Sequence, residues 1–280
     1  RHKATKAGSW YPAEADELFA MVRTMLDEAQ PAPAGATPVA AIAPHAGLAY
    51  SGSTAAAAYR ALMGRPVETV VVLGAVHTMM LPQPAVWTSG AWETPLGDIA
   101  IDETLAKAIV STCGAIADER PHLRDNAIEL QTPFIKVAFP QARMVPIAMP
   151  PVADAAQFGA RLAALVDETT TVCIASTDLT HYGASFGLMP AGSGQPAVDW
   201  THANDRRLID MILALDAEAI VPCAERDHSA CGAGAVAALA AMARTRKWNA
   251  RLLDYCTSHD RMPEEPASHL VGYAAILFAH

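Results

Sequence analysis

Charge and aromatic rings are both scarce in this chain. Of its 280 residues 18% are Asp, Glu, Lys or Arg and 6% are Phe, Trp or Tyr, against 52% apolar residues. Low charge combined with high hydrophobicity excludes an intrinsically disordered chain. Cations are scarcer still, 20 Lys and Arg against 29 Asp and Glu, and the net charge of −9 repels phosphate backbones and anionic lipid. Nucleic acid and membrane surfaces are therefore poor partners. No apolar run approaches the ~20 residues that a spanning helix needs. The most apolar stretch, Cys231 to Ala243, reads as a buried core helix. The opening RHKATKAGSW has basic residues but no apolar segment behind them, so no signal peptide is expected. The five cysteines, Cys113, Cys173, Cys223, Cys231 and Cys256, are an odd set without a CxxC pair, which suits a reducing compartment and predicts a cytoplasmic protein. GxxxxGK[ST], HExxH and GxSxG are all missing, so phosphate-loop, zincin and serine-hydrolase chemistries lack their local signals. Cys231-Gly-Ala-Gly234 is no dinucleotide fingerprint either, because the segment before it, Ala224 to Ser229, reads as a polar loop and not a strand.

What is present is alternation. An amphipathic helix over Glu14 to Ala29 places Leu18, Met21, Val22, Met25 and Leu26 on one face, and a Pro/Ala/Gly loop (Pro31 to Pro38) follows it. Val39 to Ala43 and Val70 to Leu73 are short apolar runs ended by Pro44 and Gly74, the pattern of strands buried on both faces of a parallel or mixed sheet. Between them Ser53 to Met63 is Ala-rich and helix-prone. Trp87 to Ile101 predicts a hairpin excursion, and Asp102 to Ser111 a helix. Arg143 to Ala148, Thr170 to Ala175, Arg251 to Tyr255 and Val271 to Phe278 read as further strands. Helices are expected around Phe158, Leu162 and Leu165, and around Leu208, Met211, Ile212 and Leu215. Strands alternating with helices argue a layered α/β domain, and no shift of composition divides residues 1–280 into two.

Polar residues follow the apolar runs. The first strand ends in Pro44-His45-Ala-Gly47, the second in Gly74-Ala-Val-His77, and a later one in Ser176-Thr-Asp178-Leu-Thr-His181. Ligands and catalytic groups gather at the carboxyl ends of strands in α/β sheets, so three strand ends that each carry a histidine predict one shared site. Cys231, just ahead of the helix from Ala233, stands where free backbone N–H groups favour a thiolate. Two imidazoles and a thiolate suit a borderline or soft divalent metal. Taken singly, each histidine is equally a loop residue satisfied by backbone hydrogen bonds, and Cys231 a small buried hydrophobe. Asp125 and Glu129 share a helix face, which by spacing alone is an ordinary solvated helix start.

Ordered motifs carry a resemblance. Ala7-Gly-Ser-Trp-Tyr-Pro12, Ala43-Pro-His-Ala-Gly47 with Tyr50-Ser-Gly52, Trp92-Glu-Thr-Pro-Leu-Gly97 with Ile101-Asp102, Ile128-Glu-Leu-Gln-Thr-Pro-Phe134, Ser176-Thr-Asp-Leu-Thr-His-Tyr-Gly183, Ala230-Cys-Gly232 and Gly272-Tyr-Ala-Ala275 run nearly the whole chain. Together they resemble the Memo family, whose fold is similar to that of the class III extradiol ring-cleavage dioxygenases. The resemblance implies a single domain with a central mixed sheet flanked by helices. It also implies that His45, His77 and Cys231 form the metal-binding set and that Asp178, His181 and Glu129 are catalytic groups, the first two beside the set and Glu129 near the pocket. His181 matches the acid/base histidine of the ring-cleaving relatives. Cys231 stands where those enzymes use a carboxylate. Trp10, Tyr11, Tyr50 and Tyr182 lie in the motifs and are candidates for an aromatic pocket wall. Two departures are local to this chain: Ala75 and Val76 replace the family's usual Pro and small polar residue before the second histidine, and Asp125-Asn126-Ala127 replaces its acid-His-Ser.

The function this predicts is a non-haem Fe(II) dioxygenase-like oxidoreductase. It would act with O₂ on a small phenolic or enolic diol, with His181 taking the substrate proton and Asp178 orienting that imidazole or a ligand imidazole. Zn(II) or Cu could occupy the same ligands, and zinc with an open position would make a hydrolase or lyase. A non-catalytic binding or adaptor role, and a metal-free nucleophile with Cys231 activated by His228 or His181, are the other readings. The Ala-rich helices are compatible with a homo-oligomer as well as with a large core.

Overall fold

A computed structural model describes residues 1–280. Helix α1 (Ala15–Glu28) buries Leu18, Val22 and Leu26, one stripe at helical spacing. Strand β1 (Pro38–Ala43) is buried from its second residue on. Helix α2 (Leu48–Leu62) starts five residues before the Ala-rich run that predicted it, directly after the His45-Ala-Gly47 turn. Strand β2 (Thr69–Gly74) is wholly buried. The expected excursion follows: β3 (Ala85–Val86), then a hairpin of β4 (Ala91–Trp92) and β5 (Ile99–Ala100). Helix α3 (Glu103–Cys113) is capped by the Asp102 carboxylate on the Leu105 N–H and ended by Gly114 in a left-handed conformation.

Strand β6 (Ile116–Ala117) and the short helices α4 (Asn126–Glu129) and α5 (Thr132–Ala138) lead to β7 (Arg143–Ala148). Helix α6 (Ala155–Ala163) precedes β8 (Thr171–Ser176) and the small β9 (His181–Gly183). Three helices come next, α7 (Gln195–Leu213), α8 (Ala217–Asp227) and α9 (Ala233–Arg246), and then β10 (Asn249–Thr257), α10 (Ser258–Arg261) and β11 (His269–Ala279). Ala224 to Asp227, expected in a loop, are the last turn of α8. Their polar side chains mark only its solvent face, because Ile220, Cys223 and Ala224 are buried on the other.

The sheet is mixed, in the order β10-β11-β1-β8-β2-β7-β3-β6, with β9 on β11. Its centre, β1-β8-β2-β7, is parallel, and β11 runs antiparallel to both β1 and β10. This is the α/β fold with a central mixed sheet flanked by helices that the sequence implied. Register decides where the site falls, because Ala43 and Gly74 both pair with Ser176. The residues that follow β1, β2 and β8 therefore leave the sheet side by side. Helix α9, buried at every residue from Ala233 to Ala243, packs on α6, where a Cβ on Gly159 would lie 1.8 Å from the Ala238 carbonyl oxygen. No helix is long and apolar enough to cross a membrane.

Candidate metal centre

The three strand ends and the start of α9 meet. His45 follows β1, His77 follows β2, and Cys231 precedes α9; one ligand atom from each lies within 4.8 Å of the others. Atoms bound to one ion at about 2.0–2.3 Å sit about 3–4 Å apart, so these three need only a small contraction to share one. Cys231 Sγ is 3.2 Å from His45 Nε2 and accepts the Asp178 N–H at 3.3 Å. Gly232 permits this approach of α9 to β8: a Cβ there would lie 2.6 Å from the Ser176 carbonyl oxygen, and its N–H donates to Thr177 Oγ1.

Hydrogen bonds fix which imidazole nitrogens face the centre. Ser176 Oγ spends its one proton on the Ala127 carbonyl at 2.6 Å and receives the Gln131 amide at 2.8 Å. His45 Nδ1, 3.0 Å away, must therefore be the donor to Ser176, which leaves Nε2 toward Cys231. His77 Nδ1 is held at 3.0 Å by Asp125, whose carboxylate also takes the His77 and Ala127 backbone N–H groups. Both rings are thereby oriented as metal-ligating histidines are, by a hydrogen bond on the nitrogen away from the ion. The donor set, two nitrogens and a sulfur with further positions open, fits a borderline or soft divalent metal.

Without an ion the groups support one another's charge. Burial disfavours the Cys231 thiolate, but His45, His77 and His181 outweigh it and hold the thiol well below its ordinary range. Burial likewise opposes charge on His77, yet Asp125 and Cys231 lift it to about 10, and Cys231 and Asp178 raise His45 in the same way. Burial raises Asp178 despite His45 and His181 nearby.

His45, His77, Asp178 and His181 line a cavity of about 510 Å³ together with Trp10, Tyr50, Phe186 and Tyr273, while Cys231 lies behind them and lines a separate cleft with His181 and His228. His181 donates from Nδ1 to the Leu179 carbonyl at 3.0 Å, which leaves Nε2 as an acceptor. The chain matches the family model for Memo-like proteins over residues 2–277. It belongs to the Memo family. It is 36% identical to a MEMO1 family protein of Methanopyrus kandleri, with 97% of this chain and 96% of that protein covered, and 31% identical to one of Thermoplasma acidophilum, with 99% and 98% covered. A third, from Methanothermobacter thermautotrophicus, is 38% identical over 83% of this chain and 82% of its own length.

Within this Memo chain the structure places the expected residues unequally. His45, His77 and Cys231 come together, and His181 and Asp178 stand beside them. Asp178 orients neither imidazole: its Oδ1 accepts the His45 backbone N–H at 2.7 Å, and the His181 ring is held by Leu179 instead. Glu129 is buried and does not line the cavity. Its carboxylate takes the Thr5 hydroxyl, the Lys6 N–H and the Tyr11 hydroxyl, fastening the N-terminal segment and using Tyr11 away from the pocket wall. Tyr182 belongs to a separate small cluster with Trp200. Asn126, at one of the chain's departures from the Memo pattern, donates to the His45 carbonyl at 3.1 Å and lines the cavity. Ser176 and Gln131, which set the His45 tautomer, were missed as functional residues; their presence inside two Memo motifs was the signal available.

Proposed function

We propose that His45, His77 and Cys231 bind a divalent metal and that the protein is a non-haem Fe(II) dioxygenase-like oxidoreductase acting on a small phenolic or enolic diol. The observation that carries this reading is a pair of imidazoles with Nδ1 tied back and Nε2 turned, beside a thiolate, to one end of an aromatic cavity. Fe(II) would supply Lewis acidity toward the diol oxygens and one-electron chemistry toward O₂. The rest falls to the chain. Trp10, Phe186 and Tyr273 offer aromatic faces against which a flat ring would pack. His181 Nε2, free of any protein partner while Nδ1 is fixed, accepts the proton of a substrate hydroxyl. Asp178 holds the His45 backbone in place.

Anaerobic reconstitution with Fe(II), followed in an oxygen electrode over catechols, hydroquinones and related diols, tests the reading. O₂ uptake with at least one of them, lost in His181→Ala, is expected; no uptake with any of them overturns it. The same donor set with an open position also serves Zn(II), which would support a hydrolase or lyase. Stoichiometric zinc in protein purified without oxygen, with activity indifferent to O₂, would favour that second reading.

A further inference from the structure

The walls of the cavity differ in charge. None of its lining residues is Lys or Arg. Lys6 sits over the Trp10 ring at 5.6 Å from its centroid and does not line the cavity, so the only basic side chains on its walls are imidazoles. Of the two acids that do, Asp178 is spent on the His45 backbone, whereas Glu265 stands at the exposed rim, outside the metal-binding set. The Tyr50 hydroxyl donates to Glu265 Oε1 at 3.2 Å; Oε2 has no protein partner, and no cationic side chain pairs with the carboxylate. His269 also lines this wall, and its Nδ1 is 3.0 Å from the Ser185 hydroxyl. An oriented, unpaired carboxylate beside a tyrosine ring is the chemistry that receives an ammonium group, by charge and by the ring face.

We propose that the substrate carries a cationic amine on its side chain, recognised by Glu265 and Tyr50, and that diols with an anionic side chain are disfavoured. This rests on the proposed diol site, since the diol end must lie at His45, His77 and Cys231 for the amine to reach the rim. A carboxylate in the same place would meet Glu265 without any Lys or Arg to offset it, in a protein of net charge −9.

Calorimetric titration of the Zn(II)-loaded, redox-inert protein with catechol, dopamine and 3,4-dihydroxyphenylacetate tests the proposal without turnover. Dopamine is expected to bind about fivefold tighter than catechol, the size of one half-exposed charge and ring contact, with the acid weakest. The spread should narrow in 1 M salt, as expected from ~3 Å screening. Glu265→Gln should bring dopamine and catechol together, and Glu265→Lys should reverse the order. Glu264→Gln, a neighbouring exposed acid that does not line the cavity, should leave the order unchanged. Equal binding of all three, or a dopamine preference that survives Glu265→Gln, overturns the amine proposal while catechol binding keeps the diol site. Failure of catechol to bind the metal-loaded protein better than the metal-free protein overturns both.

Discussion

A single hydroxyl at Ser176 decides which nitrogen of His45 is available. Because its proton goes to Ala127 and it already accepts from Gln131, it can only receive a proton from His45 Nδ1. Ser176→Ala removes that acceptor and leaves the ring free to adopt the other tautomer. Metal affinity is expected to fall by about 10–100-fold, the usual cost of losing the partner of a ligating histidine. Competition against a chromophoric chelator measures this, and unchanged affinity would show that Ser176 does not orient the ligand. Asp125→Ala should act likewise through His77, and it also removes the α4 cap, about 1 kcal/mol of stability. The meeting of the three candidate ligands was legible because His45, His77 and Cys231 each follow or precede an apolar run. Their supports were less so. Sequence offers no sign of which way a hydroxyl proton points, and Asp178, three residues from His181, looked placed to orient a ring when it in fact holds a backbone N–H.

The element most exposed to change is the N-terminal segment, residues 1–12, which brings Ser9 and Trp10 to the cavity wall. It has little regular structure, and Glu129, buried at the end of α4, ties it at Thr5, Lys6 and Tyr11. Glu129→Ala strands a buried hydroxyl and an N–H, a loss of about 3 kcal/mol by the cost of such groups. Limited proteolysis should then cut within the first residues faster than in the unaltered protein, with altered Trp10 emission; an unchanged cleavage rate would show that the segment is held elsewhere. This role could not be read from the spacing of Asp125 and Glu129. The spacing shows a shared helix face, whereas the partner of that face lies more than a hundred residues earlier in the chain. The same limit explains the elements that were missed. Strands β1, β2, β7 and β8 were legible because burial on both faces forces unbroken apolar runs. Helix α8, by contrast, buries only one side, and α5 is seven residues long with Pro133 in its first turn.

At the scale of the whole molecule, two buried groups outside the candidate ligand set give opposite pH dependences. Burial drives His122, between Trp87 and Trp92, down to about 4 from an ordinary 6.5. The folded state thus binds fewer protons there than the unfolded chain, and stability falls as pH drops from about 6.5 toward 4. Asp205, buried under Gly272 and bonded to the Thr180 N–H and the Tyr255 hydroxyl, is pushed by burial up to about 6 from 3.8. There the folded state binds more protons, so acidification through about 6 to 3.8 returns stability. Between about pH 7 and pH 5 the first contribution loses about 2 kcal/mol and the second regains about 1, so the offset is partial and acidification is net destabilising. Asp205→Asn keeps the size and one acceptor but cannot titrate. Its stability, from urea unfolding at the two pH values, should fall about 1 kcal/mol further on acidification than that of the unaltered protein. His122→Asn should shift the balance the other way by about 2 kcal/mol, since only the Asp205 contribution remains. Parallel pH profiles for the two variants and the parent would mean that neither group carries the linkage that its burial implies.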